Sequence, residues 1–164
     1  MKPRRATVAD AEAIARIYNE GIADRVATFE TRPRAPEDIR GWFDDVHPIV
    51  VVEDSAGAIV GFAATSTYRP RECYAGVAEC SVYVGRSARG RGVGRLALAA
   101  ILVAAERAGF CKLVSRVFPE NAASLALVRS LGFREVGVYE RHGKLDGAWR
   151  NVVIVERLIE ANVR

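Results

Sequence analysis

The sequence predicts an α+β fold: a mixed, mostly antiparallel twisted sheet flanked by helices, formed by residues 1–164 as one domain. Three observations lead there. Half of the residues are apolar and 27% are charged, the composition of a chain that packs a core. Apolar residues recur at helical spacing early in the chain and again after Gly92, with β-branched runs of strand length between and after them. The elements fall in the order β-α-α-β-β-β-α-β-α-β-β, helices first, then a meander, then a β-α-β-α-β-β run.

Each element has its own signal. Arg4–Ala6 is a short first strand, and Thr7-Val8-Ala9-Asp10 reads as a capping box, the Thr7 hydroxyl accepting from the Asp10 amide and the carboxylate reaching back. Ile14, Ile17, Tyr18 and Ile22 then mark an amphipathic helix from residue 8 to about residue 22. Pro36-Glu37-Asp38 suits a helix start, with Ile39, Trp42, Phe43 and Val46 continuing it on one face. Ile49–Glu53 and Ala58–Tyr68 are strands joined through Asp54-Ser55-Ala56-Gly57, a hairpin spacing. Val77–Val84 is the next strand. Gly92–Ala108 is a helix, apolar nearly all round and closed by Gly109, so it lies buried against the sheet. Lys112–Phe118 is a strand, Asn121–Leu131 a helix closed by Gly132, and Phe133–Glu140 and Trp149–Leu158 are the final strands.

Composition also excludes. The net charge of +4, from 24 Lys and Arg against 20 Asp and Glu, favours an anionic ligand but falls far short of a dedicated nucleic-acid binder. Cys73, Cys80 and Cys111 form no CxxC pair, and the two histidines, His47 and His142, exclude a multi-histidine metal site, so no metal is expected. The longest apolar run, Leu96 to Ala105, is too short for the roughly 18 residues of a membrane span, and the N-terminus has no apolar signal core. A reducing cytoplasm is the expected compartment.

The most informative stretch is Ser81-Val82-Tyr83-Val84, Gly85-Arg86-Ser87-Ala88, Arg89-Gly90-Arg91-Gly92-Val93-Gly94-Arg95. A strand leads through alternating glycine and arginine into a long helix. Glycines let the backbone approach a ligand, free amides at a helix start attract anions, and arginines add charge-assisted hydrogen bonds. The chemistry asks for a pyrophosphate or similar polyanion. No GKS or GKT ends the loop, and Arg95 stands where a dinucleotide fingerprint needs glycine. A solvent-exposed basic loop and an RG-type nucleic-acid binder are the competing readings.

Arg89-x-x-Gly92-x-Gly94 between strand and helix resembles the acetyl-coenzyme A pyrophosphate loop of the GNAT-superfamily N-acetyltransferases. Asn121-Ala122-Ala123-Ser124-Leu125 and Leu131-Gly132-Phe133 resemble that superfamily's late helix and strand. Ile17-Tyr18-Asn19, Ala27-Thr28-Phe29-Glu30, Trp42-Phe43, Glu79-x-Ser81-Val82-Tyr83-Val84 and Gly143-Lys144 before Trp149 are similar to the phosphinothricin-type acetyltransferases, and Thr65–Tyr74 looks like their arsinothricin branch.

The resemblance implies a GNAT fold, acetyl-CoA as co-substrate, a small amino-acid acceptor and a homodimer. It implies Glu79 as the base that frees the α-amine, with an ion-paired surface carboxylate as the alternative; because Val128 stands where relatives carry histidine, the acid stays open between Tyr83, water and a thiolate that leaves unprotonated. Val82, Tyr83 and Val84 would align the pantetheine, with Arg89, Gly90, Arg91, Gly92, Val93, Gly94 and Arg95 around the pyrophosphate and Asn121 and Ser124 beside the arm; helix capping is the other reading of Asn121. Arg69 and Arg71 suit the acceptor's head group, and Phe29, Glu30, Lys144 and Trp149 fit either the acceptor site or a dimer contact. The expected reaction is acetylation of a toxic glutamate analogue (arsinothricin, phosphinothricin or methionine sulfoximine), conferring resistance. Protein N-termini or polyamines as acceptors, and a non-catalytic acyl-CoA sensor, are the alternatives.

Overall fold

The computed structural model describes residues 1–164. Strands β1 (Lys2–Arg5), β2 (Ile49–Glu53), β3 (Ile59–Thr67), β4 (Val77–Val84), β5 (Lys112–Val117), β6 (Arg134–Leu145) and β7 (Ala148–Leu158) form one sheet in the order β1-β2-β3-β4-β5-β7-β6. Helices α1 (Ala11–Asp24), α2 (Pro36–Arg40), α3 (Val93–Arg107) and α4 (Ala122–Ser130) flank it. All strand pairs are antiparallel except β4 with β5. No helix is long and apolar enough to cross a membrane.

Strand alternation sends side chains to two cores. On one face α3 buries Val93, Ala97, Leu98, Ile101 and Ala105 against Val50, Ala63, Cys80 and Leu113. On the other, Ile14, Ile17 and Ile22 of α1 and Ile39 of α2 cover Val51, Phe62 and Ala64. Burial in the first core pushes the Cys80 thiol up to about 12, so it stays a neutral filler there.

Several boundaries differ from the expectations. The first strand is Lys2–Arg5, and Ala6 continues it only by one bond, its amide donating to Ile49 O at 2.8 Å. Residues Val8–Asp10 form a 3-10 turn ahead of α1, which runs on to Asp24. In that tighter turn the Asp10 amide donates to the Thr7 carbonyl (2.9 Å) rather than to the hydroxyl, while the Thr7 amide does donate to Asp10 Oδ2 (2.8 Å). Asp10 is buried and takes both Arg4 Nη1 and Nη2 at 2.8 Å, so its carboxyl is held below the usual carboxylate range.

Helix α2 stops at Arg40, and Val46 is 59% exposed instead of lying on its face. The Asp44 carboxylate accepts from the amides of Val46 and His47 (2.9 and 2.8 Å), a local turn that competes with helix. Trp42 and Phe43 still pack on the α1–α2 core. Strand β6 runs to Leu145, five residues beyond Glu140, because Asp146 and Gly147 (φ 50° and 80°) make a two-residue hairpin turn.

Helix α3 meets the sheet at Gly61. A Cβ there would lie 2.5 Å from Val93 Cγ1 and 3.2 Å from the Tyr83 carbonyl, and Val93 is fully buried. Gly61→Ala overpacks this contact and should cost about 1–3 kcal/mol. Thermal denaturation should show a Tm lower by about 2–10 °C; an unchanged Tm would mean that the start of α3 is free to shift.

Candidate active site

The single parallel pairing is short. Val77, Ala78 and Glu79 of β4 pair with Lys112, Leu113 and Val114 of β5, and the register ends there. One further link, Ser115 Oγ donating to the Cys80 carbonyl at 2.8 Å, bridges the strands before they part. From Ser81 to Val84, β4 pairs only with β3, so its edge toward β5 is open. Cavities of about 50 and 290 Å³ fill the opening between Ser81–Tyr83 and Ser115–Phe118. A third of about 600 Å³ adjoins them across Glu79, Ser81 and Tyr83, with Thr65, Trp42 and Arg34 among its other walls.

Alternation along β4 puts Glu79, Ser81 and Tyr83 on the α1–α2 face and Val82 and Val84 among the α3 core residues. Arg116 of β5, two residues beyond Val114, shares the face of Glu79. Its Nη2 donates to Glu79 Oε1 at 2.5 Å, and Glu79 Oε2 has no partner within the chain. Tyr83 lies edge-on to Tyr18 (4.9 Å) and stacked on Phe62 (5.4 Å). Burial pushes the Tyr83 phenol above its ordinary value, so it remains a proton donor, and Thr28 lines the same cavity as Tyr18 and Tyr83.

The connection of residues 25–35 crosses the opening. It is tied at one end by Asn121, whose Nδ2 donates to the Val26 carbonyl (3.2 Å), and at the other by Asn19, which accepts from the Arg34 amide (2.7 Å) and donates to its carbonyl (2.9 Å). Between these ties Phe29 packs edge-on to Phe118 (4.9 Å), and Glu30 pairs with Arg34 (2.7 Å). Phe29, Glu30 and Thr28 thereby become walls of the cavity holding Glu79. Asn121 Oδ1 also accepts from the Ser124 amide (3.1 Å), so the residue caps α4 and holds this connection at once; Asn121 and Ser124 both line the smallest cavity.

The open edge of β4 leads into the glycine loop. Gly92 sits at the N-cap of α3 with φ 82°, a conformation that favours glycine, and the amides of Val93, Gly94 and Arg95 have no intrahelical acceptor. A Cβ on Gly94 would press on Leu127 Cδ2 at 3.1 Å, so α3 and α4 pack closely behind the loop. Asp24, at the end of α1, pairs with Arg86 (2.6 Å) and Arg89 (2.8 Å); the Arg86 bond is the larger cause holding its carboxyl low. Arg95 reaches Ser130 Oγ (2.8 Å), and the Gly90–Arg91 turn lies exposed beside them. An amide cradle flanked by arginines and continuous with an unpaired strand edge fits a pyrophosphate followed by an extended, amide-bearing arm, as acetyl-CoA has.

The remaining expected residues lie apart. Arg69 and Arg71 are exposed just past β3, their guanidiniums over the rings of Tyr68 (5.2 Å) and Tyr74 (6.0 Å), and neither lines the cavities around Glu79. Lys144 sits over Trp149 (4.9 Å) on the exposed β6–β7 hairpin. Reading the sequence missed Arg116, Arg34 and Asp24. For Arg116 a signal existed: a charge inside the strand on the phase opposite to the apolar Leu113 and Val117, which puts it on the other face of the sheet. Asp24 is 62 residues from Arg86, and no local pattern announces such a pair.

Residues 14–133 match the model of the acetyltransferase (GNAT) family. The chain is 34% identical over 157 residues to the L-methionine sulfoximine/L-methionine sulfone acetyltransferase of Pseudomonas paraeruginosa, covering 93% of this chain and 91% of that one. Among solved structures it resembles a GNAT superfamily phosphinothricin acetyltransferase from Sinorhizobium meliloti in complex with AcCoA (TM-score 0.89, 30% identity, 96% of this chain and 87% of that one). It also resembles a ribosomal-protein-alanine N-acetyltransferase from Brucella melitensis (TM-score 0.92, 32% identity, 97% and 100%). With the family model spanning most of the chain and the cradle in place to receive the co-substrate, this protein belongs to the GNAT family and is an acetyl-CoA-dependent acetyltransferase.

Proposed function

We propose that the protein acetylates the α-amine of a small amino acid carrying a tetrahedral polar head group, such as phosphinothricin, methionine sulfoximine or arsinothricin, and thereby confers resistance to it. The carrying observation is the position of Glu79, the last residue of β4 paired with β5, lining both the opening between the strands and the 600 Å³ cavity beside it. Acetyl-CoA supplies the acetyl thioester. The unpaired edge at Val82–Val84 aligns its arm, and the loop from Arg89 to Arg95 with the start of α3 holds its pyrophosphate.

An amino acid carries an ammonium at neutral pH, and attack on a thioester needs the free amine. Glu79 takes that proton through its open Oε2, directly or through one water. The Tyr83 hydroxyl, kept protonated by its burial, donates toward the departing sulfur. Arg69 and Arg71 stand on the loop after β3, outside the cavity walls, and would have to leave Tyr68 and Tyr74 to meet the acceptor's head group. The protein works as a cytoplasmic homodimer whose contact is the outer hairpin, where Val136, Val138, Tyr139 and Trp149 are each about half exposed on adjoining strands. Acetylation of protein N-termini is the second reading, motivated by the likeness to the ribosomal-protein-alanine N-acetyltransferase of Brucella melitensis.

Thiol release from acetyl-CoA separates the readings. Release with the head-group analogues and little with glutamate or an alanine-terminated peptide is the expected outcome, and release with the peptide alone would overturn it. Glu79→Gln should lower kcat about 10²-fold or more at pH 7. The deficit shrinks as pH rises, because the amine then deprotonates without help; a pH profile parallel to that of the wild type would remove Glu79 from the role. Asp24→Ala frees Arg86 and Arg89 and should raise KM for acetyl-CoA about 3- to 10-fold with acceptor KM unchanged, since exposed pairs of this kind contribute about 1 kcal/mol. A change in the acceptor KM instead would place Asp24 elsewhere in the mechanism.

A further inference from the structure

The acceptor proposed above is a zwitterion, and its α-carboxylate needs a cation. In an α-amino acid the amine nitrogen and the carboxylate carbon are joined through one Cα, about 2.5 Å apart. Whatever holds the carboxylate must therefore stand beside the group that takes the amine's proton. Arg69 and Arg71, past the end of β3 and stacked on exposed tyrosines, do not stand there. Arg34 is turned to Glu30 (2.7 Å) and to the Arg32 carbonyl (2.8 Å).

Arg116 does stand there. It is the one cationic side chain among the walls of the 290 Å³ cavity, where Glu30 and Glu79 are the two anions. Only its Nη2 is committed, to Glu79 Oε1; Nη1 and Nε have no partner within the chain, and the side chain is 48% exposed. Its position is set by strand geometry: the parallel register places Val114 beside Glu79, and alternation returns Arg116 to the same face where the strands have begun to part. A guanidinium with one N–H on the base and the others free spans both ends of an α-amino acid's glycine-like moiety.

Resting on the amino-acid reading of the site, we propose that Arg116 binds the acceptor's α-carboxylate and, through its bond to Glu79, sets the base against the α-amine. Arg116 is thus the residue that selects α-amino acids over simple amines. The head group then extends away from the parted strands into the larger cavity.

The test compares phosphinothricin with its decarboxylated analogue, 3-aminopropyl(methyl)phosphinate, which keeps the head group and amine and lacks the α-carboxylate. Wild-type protein should prefer phosphinothricin in kcat/KM by about 10- to 100-fold, the value of charge-assisted bonds to a carboxylate. Arg116→Leu should raise KM for phosphinothricin by a similar factor and bring the preference close to one, while Arg116→Lys recovers part of it. Acetyl-CoA binding by calorimetry and the Tm serve as folding controls and should stay at wild-type values. An Arg116→Leu variant that retains the preference, or that loses activity equally on both compounds, overturns the proposal. Equal use of both compounds by the wild type also overturns it while leaving the acetyltransferase reading intact. Turnover of peptide acceptors alone would instead show that the amino-acid reading itself is wrong, and Arg116's role falls with it.

Discussion

The structure depends on one interrupted ladder. A parallel pair in mid-sheet is normally covered on both faces and continuous, because unpaired backbone groups inside a protein are costly. Here β4 and β5 pair over three residues and then separate, leaving main-chain donors and acceptors of β4 exposed at the centre of the molecule. Such an edge is a template for an extended ligand with amides of its own. The candidate site is arranged around that opening: the helix start at one end, the carboxylate of Glu79 at its apex, and the 600 Å³ cavity beyond it.

Keeping the opening without unravelling the sheet requires ties from outside the ladder. Asn19 and Asn121, about a hundred residues apart in sequence, pin the two ends of the 25–35 connection across it. Asp24 at the end of α1 gathers two arginines of the glycine loop. This carboxylate orders the loop's cations while leaving the amides of α3 free to face a diphosphate. At the other end of α1, Asp10 and Arg4 anchor the helix to the edge strand. Helix α1 is thus fastened at both ends by ion pairs and along its length by the apolar face under Ile14 and Ile17.

Much of this was legible in the sequence where a signal is local. The order of elements, the glycine loop with its helix, and the family all follow from residues close together in the chain. Boundaries failed where a short polar turn intervened. Asp44 folded the end of the expected second helix into a loop, and the Asp146-Gly147 pair, a strong hairpin signal passed over, extended β6 to Leu145. The walls of the opening were legible in part: Glu79 and Tyr83, singled out by the sequence, do line the cavities there, yet Arg116 and Asp24 owe their place to which strand and helix come alongside, a long-range outcome that spacing does not encode. Nor did spacing reveal that Asn121 would serve as both a cap and a tie.

The most direct measurement is a crystal structure with coenzyme A and an N-acetylated amino-acid product bound together. The pantetheine amides should pair with the β4 backbone at Val82 and Val84, the diphosphate should rest on the amides of residues 92–95, and the sulfur should end in the opening between Tyr83 and Phe118. The product nitrogen should lie within one water of Glu79. An arm running outside the parted strands, or a product nitrogen remote from Glu79, would contradict the claim that the break in the β4–β5 ladder is the active site.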